Sequence, residues 1–441
     1  MFNFIFLVGL LLGNAEADVK RLPIGVKAIP VDNFLNSIGI NSSVSKRGET
    51  LEQTVKAAKY LGIRWIRTGY EGDIPLNDLI QLHQETGMRY SYGLLSGGTN
   101  ISKLLENGKV LQRAGALLAF EGLNEPNNWG ITYKAEKGGN NNSWKPVAAL
   151  QRDLYAAVKK DEQLKNYPVW DICENGAQTD NTGLQFLEIP KDAGTVMPAG
   201  TKFADFAVCH NYFMHPSHPG LYDNQTWNAA DPGPECKVDG LFGNYGITWK
   251  SKYKGYTLAQ LQNIPRVTTE TGMTIDIDRP EEKQATLYLN LYLAQFKRNW
   301  SYTAIYLLRD RSDEDGNQSF GFYTKDYLPR KSALYLHNMT TILANKKGSP
   351  TKAPLRTLNY RINDQPATVH DLLLQKSNGK LALVIWGEKA KGSERVTLTL
   401  GGSIKSIKVY DPTIGTSATA SYANKNNIML TLTDHPLIIE I

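Results

Sequence analysis

From about residue 35 to residue 340, short apolar runs alternate with longer stretches whose apolar positions recur every three or four residues. The short runs are SIGIN (37–41), IRWIRTG (63–69), RYSYGLL (89–95), LLAFEGLN (117–124), VWDIC (169–173), FAVCHNY (206–212), RVTTET (266–271) and AIYLLRD (304–310). Each is of strand length. Three of the stretches between them carry helix-start signals. TLEQTVKAAKYLG opens with Thr50 and Gln53 in capping-box spacing and sets Leu51, Val55, Ala58 and Leu61 on one face. PVAALQRDLYAAVKK begins at Pro146, in a first-turn position, and RPEEKQATLYLNLYLAQF places Glu281 and Glu282 after Pro280, at the positive end of a helix. Eight strand–helix units predict an α/β fold, a closed (β/α)8 barrel over residues 18–345. An open doubly wound sheet is the competitor, but no glycine-rich phosphate loop follows the first strand.

After Lys346–Pro354, which reads as a linker, the period changes to two. LALVIWGE, RVTLTL, IKSIKVYD, IMLTLT and PLIIEI alternate as half-buried strands, and Asn378-Gly379 is a hairpin signal. Residues 355–441 therefore predict a small C-terminal β-sandwich. Phe213–Tyr256 has little periodicity but many Gly, Pro, Asn and aromatic residues; a loop of that length is usually functional. It follows the sixth strand, on the face where such barrels place their active sites.

Composition narrows the classes. With 41% hydrophobic and 21% charged residues, the chain is an ordinary folded protein. Its net charge of +6 is spread along the chain with no basic stripe, which argues against nucleic acid as a partner. Twenty-two tyrosines and eight tryptophans offer flat faces suited to sugars, although most serve packing. Phe2–Leu12 is an apolar run too short to span a bilayer, followed by the small-x-small triplet Ala15-Glu16-Ala17. Residues 1–17 are read as a signal peptide, with a buried N-terminal segment as the alternative. The expectation is a secreted or periplasmic monomer with no membrane association after cleavage. Three cysteines, Cys173, Cys209 and Cys236, make no disulfide framework and no metal-ligand spacing; one bridge or buried thiols remain open.

The chemistry concentrates at strand ends. Glu125 closes the fourth strand and Pro126 stops it, while Glu270 ends the seventh. In a barrel these ends face each other across one mouth, and two carboxyl groups about 5–5.5 Å apart are what a retaining glycosidase needs. Glu121, on the same strand face as Glu125 but deeper, reads as a buried carboxylate paired with Arg67 or another inward group.

FEGLNEPN resembles the fourth-strand signature of clan A glycoside hydrolases, retaining enzymes with (β/α)8 barrels, and is most similar to the β-xylosidase/α-iduronidase family, glycoside hydrolase family 39. The resemblance implies that Glu125 is the acid/base, that Asn124 binds the sugar 2-hydroxyl, and that Glu270, in the Thr269-Glu270 pair, is the nucleophile. It also matches Cys209-His210-Asn211-Tyr212 to a His-x-Tyr motif after strand six, Arg67 to an arginine ending strand two, and GFYTKDYLPRKSALYLHNM to a segment that closes many of these barrels. Tyr212 is expected to orient Glu270, His210 to touch Glu125 or sugar, and Arg67 to hold a carboxylate in its charged form. Trp129 is a candidate sugar platform. The chain departs from the pattern at the end of strand eight, where many members carry tryptophan and AIYLLRD offers Tyr306, and TETGM lacks the aromatic that usually follows the nucleophile. The expected substrate is a β-linked polysaccharide or oligosaccharide, cleaved without cofactor or metal by an ionised Glu270 and a protonated Glu125.

Other constellations carry less. His210, His215 and His218 lack a helical i, i+4 pair, and DRSDEDGNQ has Arg311 at the first ligand position of a calcium loop. Lys250, Lys252 and Lys254 read as a solvated charge run. A non-catalytic carbohydrate-binding barrel and a metal-dependent barrel hydrolase are the rival readings.

Overall fold

The computed structural model describes residues 24–441 apart from 73, 174–186, 195, 213–254, 256, 278, 315–318, 346–352 and 390–391. Eight parallel strands form a barrel in chain order: Ile38–Asn41, Trp65–Thr68, Arg89–Gly93, Leu117–Glu121, Val169–Trp170, Ala207–His210, Arg266–Glu270 and Trp300–Ile305. The eighth pairs with the first, and a Trp170–Phe206 bridge joins the fifth to the sixth, closing the ring. All eight apolar runs read from the sequence become barrel strands. The last one ends earlier than expected, so Tyr306 lies just beyond it.

The barrel interior is packed, not hollow. Trp65, Leu118, Trp170, Val208, Val267 and Ala304 fill it. A Cβ on Gly39 would lie 2.0 Å from the Trp65 indole, so only glycine lets the first strand pass this ring. Around the barrel, Leu51–Leu61 follows the first strand, its N-terminus capped by the Thr50 hydroxyl, which accepts from the Gln53 backbone N–H. The outer layer continues with Leu76–Thr86, Ile101–Arg113, Lys145–Lys160, Leu258–Asn263, Glu281–Lys297 and Lys331–Leu343.

The C-terminal strands form two sheets. One has the order Ile24–Lys27, Thr357–Asn363, Glu394–Ile404, Lys425–Leu432; the other runs Ala418–Tyr422, Ile407–Tyr410, Pro436–Glu440, Leu381–Gly387, Val369–Gln375, Ile29–Pro30. The expected hairpin at Asn378-Gly379 joins Val369–Gln375 to Leu381–Gly387, with Gly379 in the left-handed region at φ 83°. Two short N-terminal strands, counted with the barrel in the sequence reading, pair with this sandwich. Their hydrogen bonds cross more than 300 positions of chain, a pairing that local pattern does not encode. The expected linker lies mostly outside the described residues.

The sandwich docks on helix Glu281–Lys297, where every residue from Gln284 to Gln295 is buried. A helix covered by the barrel on one side and the sandwich on the other needs no polar face. Its polar side chains find partners: Asn290 Nδ2 donates to the Gly387 and Asp434 carbonyls at 2.8 and 2.9 Å. Just past the helix, Arg298 grips the fully buried Glu388 carboxylate with two hydrogen bonds of 2.7 and 2.6 Å.

Candidate active site

The C-terminal ends of strands two, four, six and seven converge on one polar cluster, and Arg67 is its centre. Its side chain is 1% exposed. Nε donates to Glu121 Oε1 at 2.9 Å, Nη2 to Asn124 Oδ1 at 2.8 Å and to Cys173 Sγ at 3.2 Å, and Nη1 to Glu270 Oε1. The guanidinium stacks on the Tyr70 ring, 3.9 Å from its centroid. Ser91 Oγ donates to Glu121 Oε2 at 2.7 Å. Glu121 is thus a buried carboxylate held by Arg67, as its depth on the strand suggested.

Beyond Glu121 the fourth strand leaves regular pairing. An Asn124–Cys173 bridge extends it alongside the fifth, and the Glu125 N–H donates to the Cys173 carbonyl at 2.9 Å. Glu125 takes a left-handed backbone conformation, φ 40°, uncommon for a residue with a side chain. The turn is braced by the N–H groups of Asn128 and Trp129, which both donate to the Glu125 carbonyl at 2.8 Å. The carboxyl is aimed at His210, whose Nδ1 lies 2.8 Å from Oε1; Asn128 Nδ2 donates to Oε2 at 2.8 Å. Asn124 Nδ2 donates to Ser96 Oγ at 3.1 Å.

Glu270 ends the seventh strand. A register shift between Cys209 and His210 sets His210 level with it. Tyr212 donates from its hydroxyl to Glu270 Oε2 at 2.9 Å, and His210 Nδ1 is 3.5 Å from the same oxygen. One oxygen of each of Glu125 and Glu270 and a nitrogen of His210 lie within 4.8 Å of one another.

Burial sets the electrostatics. It raises the Glu270 carboxyl above its usual range; His210 and Arg67 oppose that rise, Glu125 adds to it, and the Tyr212 hydroxyl again opposes it. Burial pulls His210 down to about 4, with Arg67 lowering it further against Glu270 and Glu121, so the ring is neutral near neutral pH. The Tyr212 phenol is pushed well up by burial and by Glu270, and keeps its proton to donate.

Tyr306 closes one side. Its ring packs edge-on against Tyr212 and Phe320, and its hydroxyl donates to Glu314 Oε1 at 2.7 Å while accepting from Arg311 Nη1 at 3.1 Å. The structure brings Arg67, Asn124, Glu125, His210, Tyr212 and Glu270 into one hydrogen-bonded cluster, with Tyr306 in ring contact. Trp129 is 55% exposed on the turn after Glu125. His215, His218 and the three lysines of the long loop lie outside the described residues.

Sequence reasoning missed Asn41, Tyr70, Ser91, Ser96 and Asn128, and read Thr269 only as part of the Thr-Glu pair and Cys173 only as a thiol. Asn41 ends the first strand, a position that strand reading could have singled out, whereas Tyr70, Ser96 and Asn128 lie in the loops beyond their strands. Among the described residues, two trios are close enough to surround a cation: Glu121–Cys173–His210 and Glu125–His210–Glu270. Arg67 already binds Glu121 and Cys173 in the first and Glu270 in the second, so the positive charge these groups require is built in.

No protein-family profile and no curated protein sequence matches this chain. Solved structures do. A family 39 glycoside hydrolase from the gut symbiont Bacteroides cellulosilyticus WH2 superposes with a TM-score of 0.55 at 14% identity, over 94% of this chain and 82% of that one. AbfB, a family 51 α-L-arabinofuranosidase from Bifidobacterium longum, superposes with a TM-score of 0.55 at 11% identity, over 95% of this chain and 97% of that one. The chain shares the barrel-plus-sandwich fold of these glycoside hydrolases along nearly its whole length.

Proposed function

We propose that the protein is a retaining glycoside hydrolase acting on a β-linked glycan or glycoside, with Glu270 as nucleophile and Glu125 as acid/base. The observation that carries this reading is the pair itself: two glutamates at the ends of opposite strands, within 4.8 Å, each held by a different set of donors. Glu270 contacts the permanent cation Arg67, which favours its charged, nucleophilic form against the burial that opposes it. Glu125 makes none of the Arg67 contacts described, and faces a neutral imidazole. In the first half-reaction Glu270 attacks the anomeric carbon as Glu125 protonates the departing oxygen. In the second, Glu125 takes a proton from water, whose oxygen displaces Glu270.

A binding protein that kept the barrel has no use for two carboxylates this close together, with Glu270 buried and Glu125 half-buried, since carboxylates drawn out of water are costly to hold in place. Export, from the apolar N-terminal run, is part of the same proposal; N-terminal sequencing of the secreted protein, beginning near Asp18, would support it. The central experiment assays the wild type, Glu125→Ala and Glu270→Ala on polysaccharides and aryl glycosides. Both variants should lose at least about 1,000-fold, a deficit of about 4 kcal/mol. Retention of most activity by both overturns the assignment, and NMR of the first-formed anomer tests retention separately.

A further inference from the structure

The mechanism leaves one buried contact unexplained. His210 has no exposed side-chain surface, and each ring nitrogen meets an oxygen: Nδ1 lies 2.8 Å from Glu125 Oε1, and Nε2 lies 3.1 Å from Thr269 Oγ1. The titratable and charged groups facing the ring are Glu125 and Glu121 from the fourth strand, Arg67 from the second, Cys173 from the fifth and Glu270 from the seventh, with Tyr212 on the same segment as the ring. A neutral imidazole has one donor and one acceptor, and its surroundings choose which nitrogen is which.

Thr269 makes that choice. It is fully buried, its carbonyl accepts from Asn41 Nδ2 at 2.8 Å, and its hydroxyl meets His210 Nε2. A buried hydroxyl proton without an acceptor is costly. The hydroxyl therefore donates to Nε2, leaving the ring proton on Nδ1, from which it is donated to Glu125 Oε1. The contact at Glu125 favours the same tautomer, because a carboxylate oxygen requires a donor there.

We propose that Thr269 is a positioning residue that locks His210 as the Nδ1–H tautomer, keeping Oε1 of Glu125 a hydrogen-bond acceptor and confining the transferable proton of that carboxyl to Oε2. The catalytic meaning rests on the glycosidase reading. In the first half-reaction the proton leaves Oε2 for the glycosidic oxygen as the carbon–oxygen bond breaks and the bond to Glu270 forms. In the second, water returns a proton to Oε2 while its oxygen replaces Glu270, and Asn128 Nδ2 supports the ionised Oε2 in the interval. His210 neither gains nor loses a proton. Without the Thr269 hydroxyl the ring is free to invert, accept from a proton on Oε1, and hold that proton away from the leaving group.

Two measurements test this. The first is the imidazole nitrogen NMR spectrum of histidine-labelled protein, with H210Q identifying the signals of His210 among the seven histidines. The wild type and T269S should show a protonated Nδ1 and a bare Nε2, and T269V should lose that pattern. A bare Nδ1 in the wild type, or a T269V spectrum unchanged from it, overturns the proposal. The second is kcat/KM against pH for glycosides with poor and activated leaving groups. T269V should lose about 10–100-fold on poor leaving groups, far less on activated ones, and its alkaline limb should move to higher pH as the acid form of Glu125 is stabilised. T269S should restore the wild-type profile. Equal losses on both substrates with an unmoved limb make Thr269 merely structural and also overturn the proposal. A wild type that hydrolyses no glycoside defeats the glycosidase reading instead, and the tautomer measurement still decides on Thr269.

Discussion

Replacing Arg67 by alanine removes the guanidinium shared by Glu121, Glu270, Asn124 and Cys173. Two carboxylates then stand in a site where Arg67 and Glu121 are each 1% exposed and Glu270 8% at the side chain. At an effective dielectric of about 20, unit charges about 4 Å apart interact by about 4 kcal/mol. Part of that is returned when the arginine no longer needs desolvation, but the stranded carboxylates still cost. Removing one partner of a buried pair typically destabilises by about 3–5 kcal/mol, and R67A is expected in that range. The pH dependence gives the sharper test. Without the cation, burial raises the folded-state pKa of Glu270 further above its unfolded value, so the unfolded chain binds fewer protons than the folded one across that interval. Stability then falls as pH rises through it, and the deficit against wild type should be larger at pH 7 than at pH 4. Urea unfolding of wild type, R67A and R67M at both pH values measures this. Methionine restores much of the volume but no charge, so R67M should share the pH-dependent part. A deficit below about 1 kcal/mol, or one equal at pH 4 and pH 7, refutes the view that Arg67 supports Glu270 in its charged form.

Three further outcomes follow from separate contacts. Tyr212→Phe removes the 2.9 Å hydrogen bond to Glu270; bonds to charged groups contribute about 1.5–3 kcal/mol, so kcat/KM should fall about 10–100-fold, and unchanged kinetics would mean that the phenol only packs. His435, at the edge of the sandwich, is pulled down by burial, but Asp411 and Asp434 more than offset this and raise it to about 9. Because its folded value exceeds its unfolded one, its stabilisation is fully present below about pH 6.5 and lost as pH rises through about 9. Thermal unfolding of wild type should therefore weaken between those limits and that of His435→Gln should not. Gly379→Ala places a side chain at φ 83° in the hairpin turn and should cost about 1–2 kcal/mol in chemical denaturation, with no effect on catalysis.

The barrel was legible because its strands are continuous apolar runs buried on both faces, and such runs stand out from the amphipathic helices between them. The sandwich was partly legible. Its longest strands alternate cleanly, as in Glu394–Ile404 and Lys425–Leu432, but Val369–Gln375 carries His370 and Asp371 at its start and was not read. Ile24–Lys27 has a partner that lies far along the chain, so no local period reports it.

At the site, sequence alone determined which residues stand at the strand ends. Glu125, His210, Tyr212 and Glu270 occupy turns and termini where the barrel exposes side chains to its mouth, and Arg67 and Glu121 lie one layer below. Only the tertiary structure decided who meets whom. The Cys209–His210 register shift brings His210 level with Glu270, the left-handed turn at Glu125 aims its carboxyl at the same imidazole, and Thr269 lies beneath that ring. Those contacts depend on how neighbouring strands slide and twist against each other over distances that no sequence period spans. A strand pattern records which face a side chain takes; the closed barrel alone sets its distance from a side chain on the opposite wall.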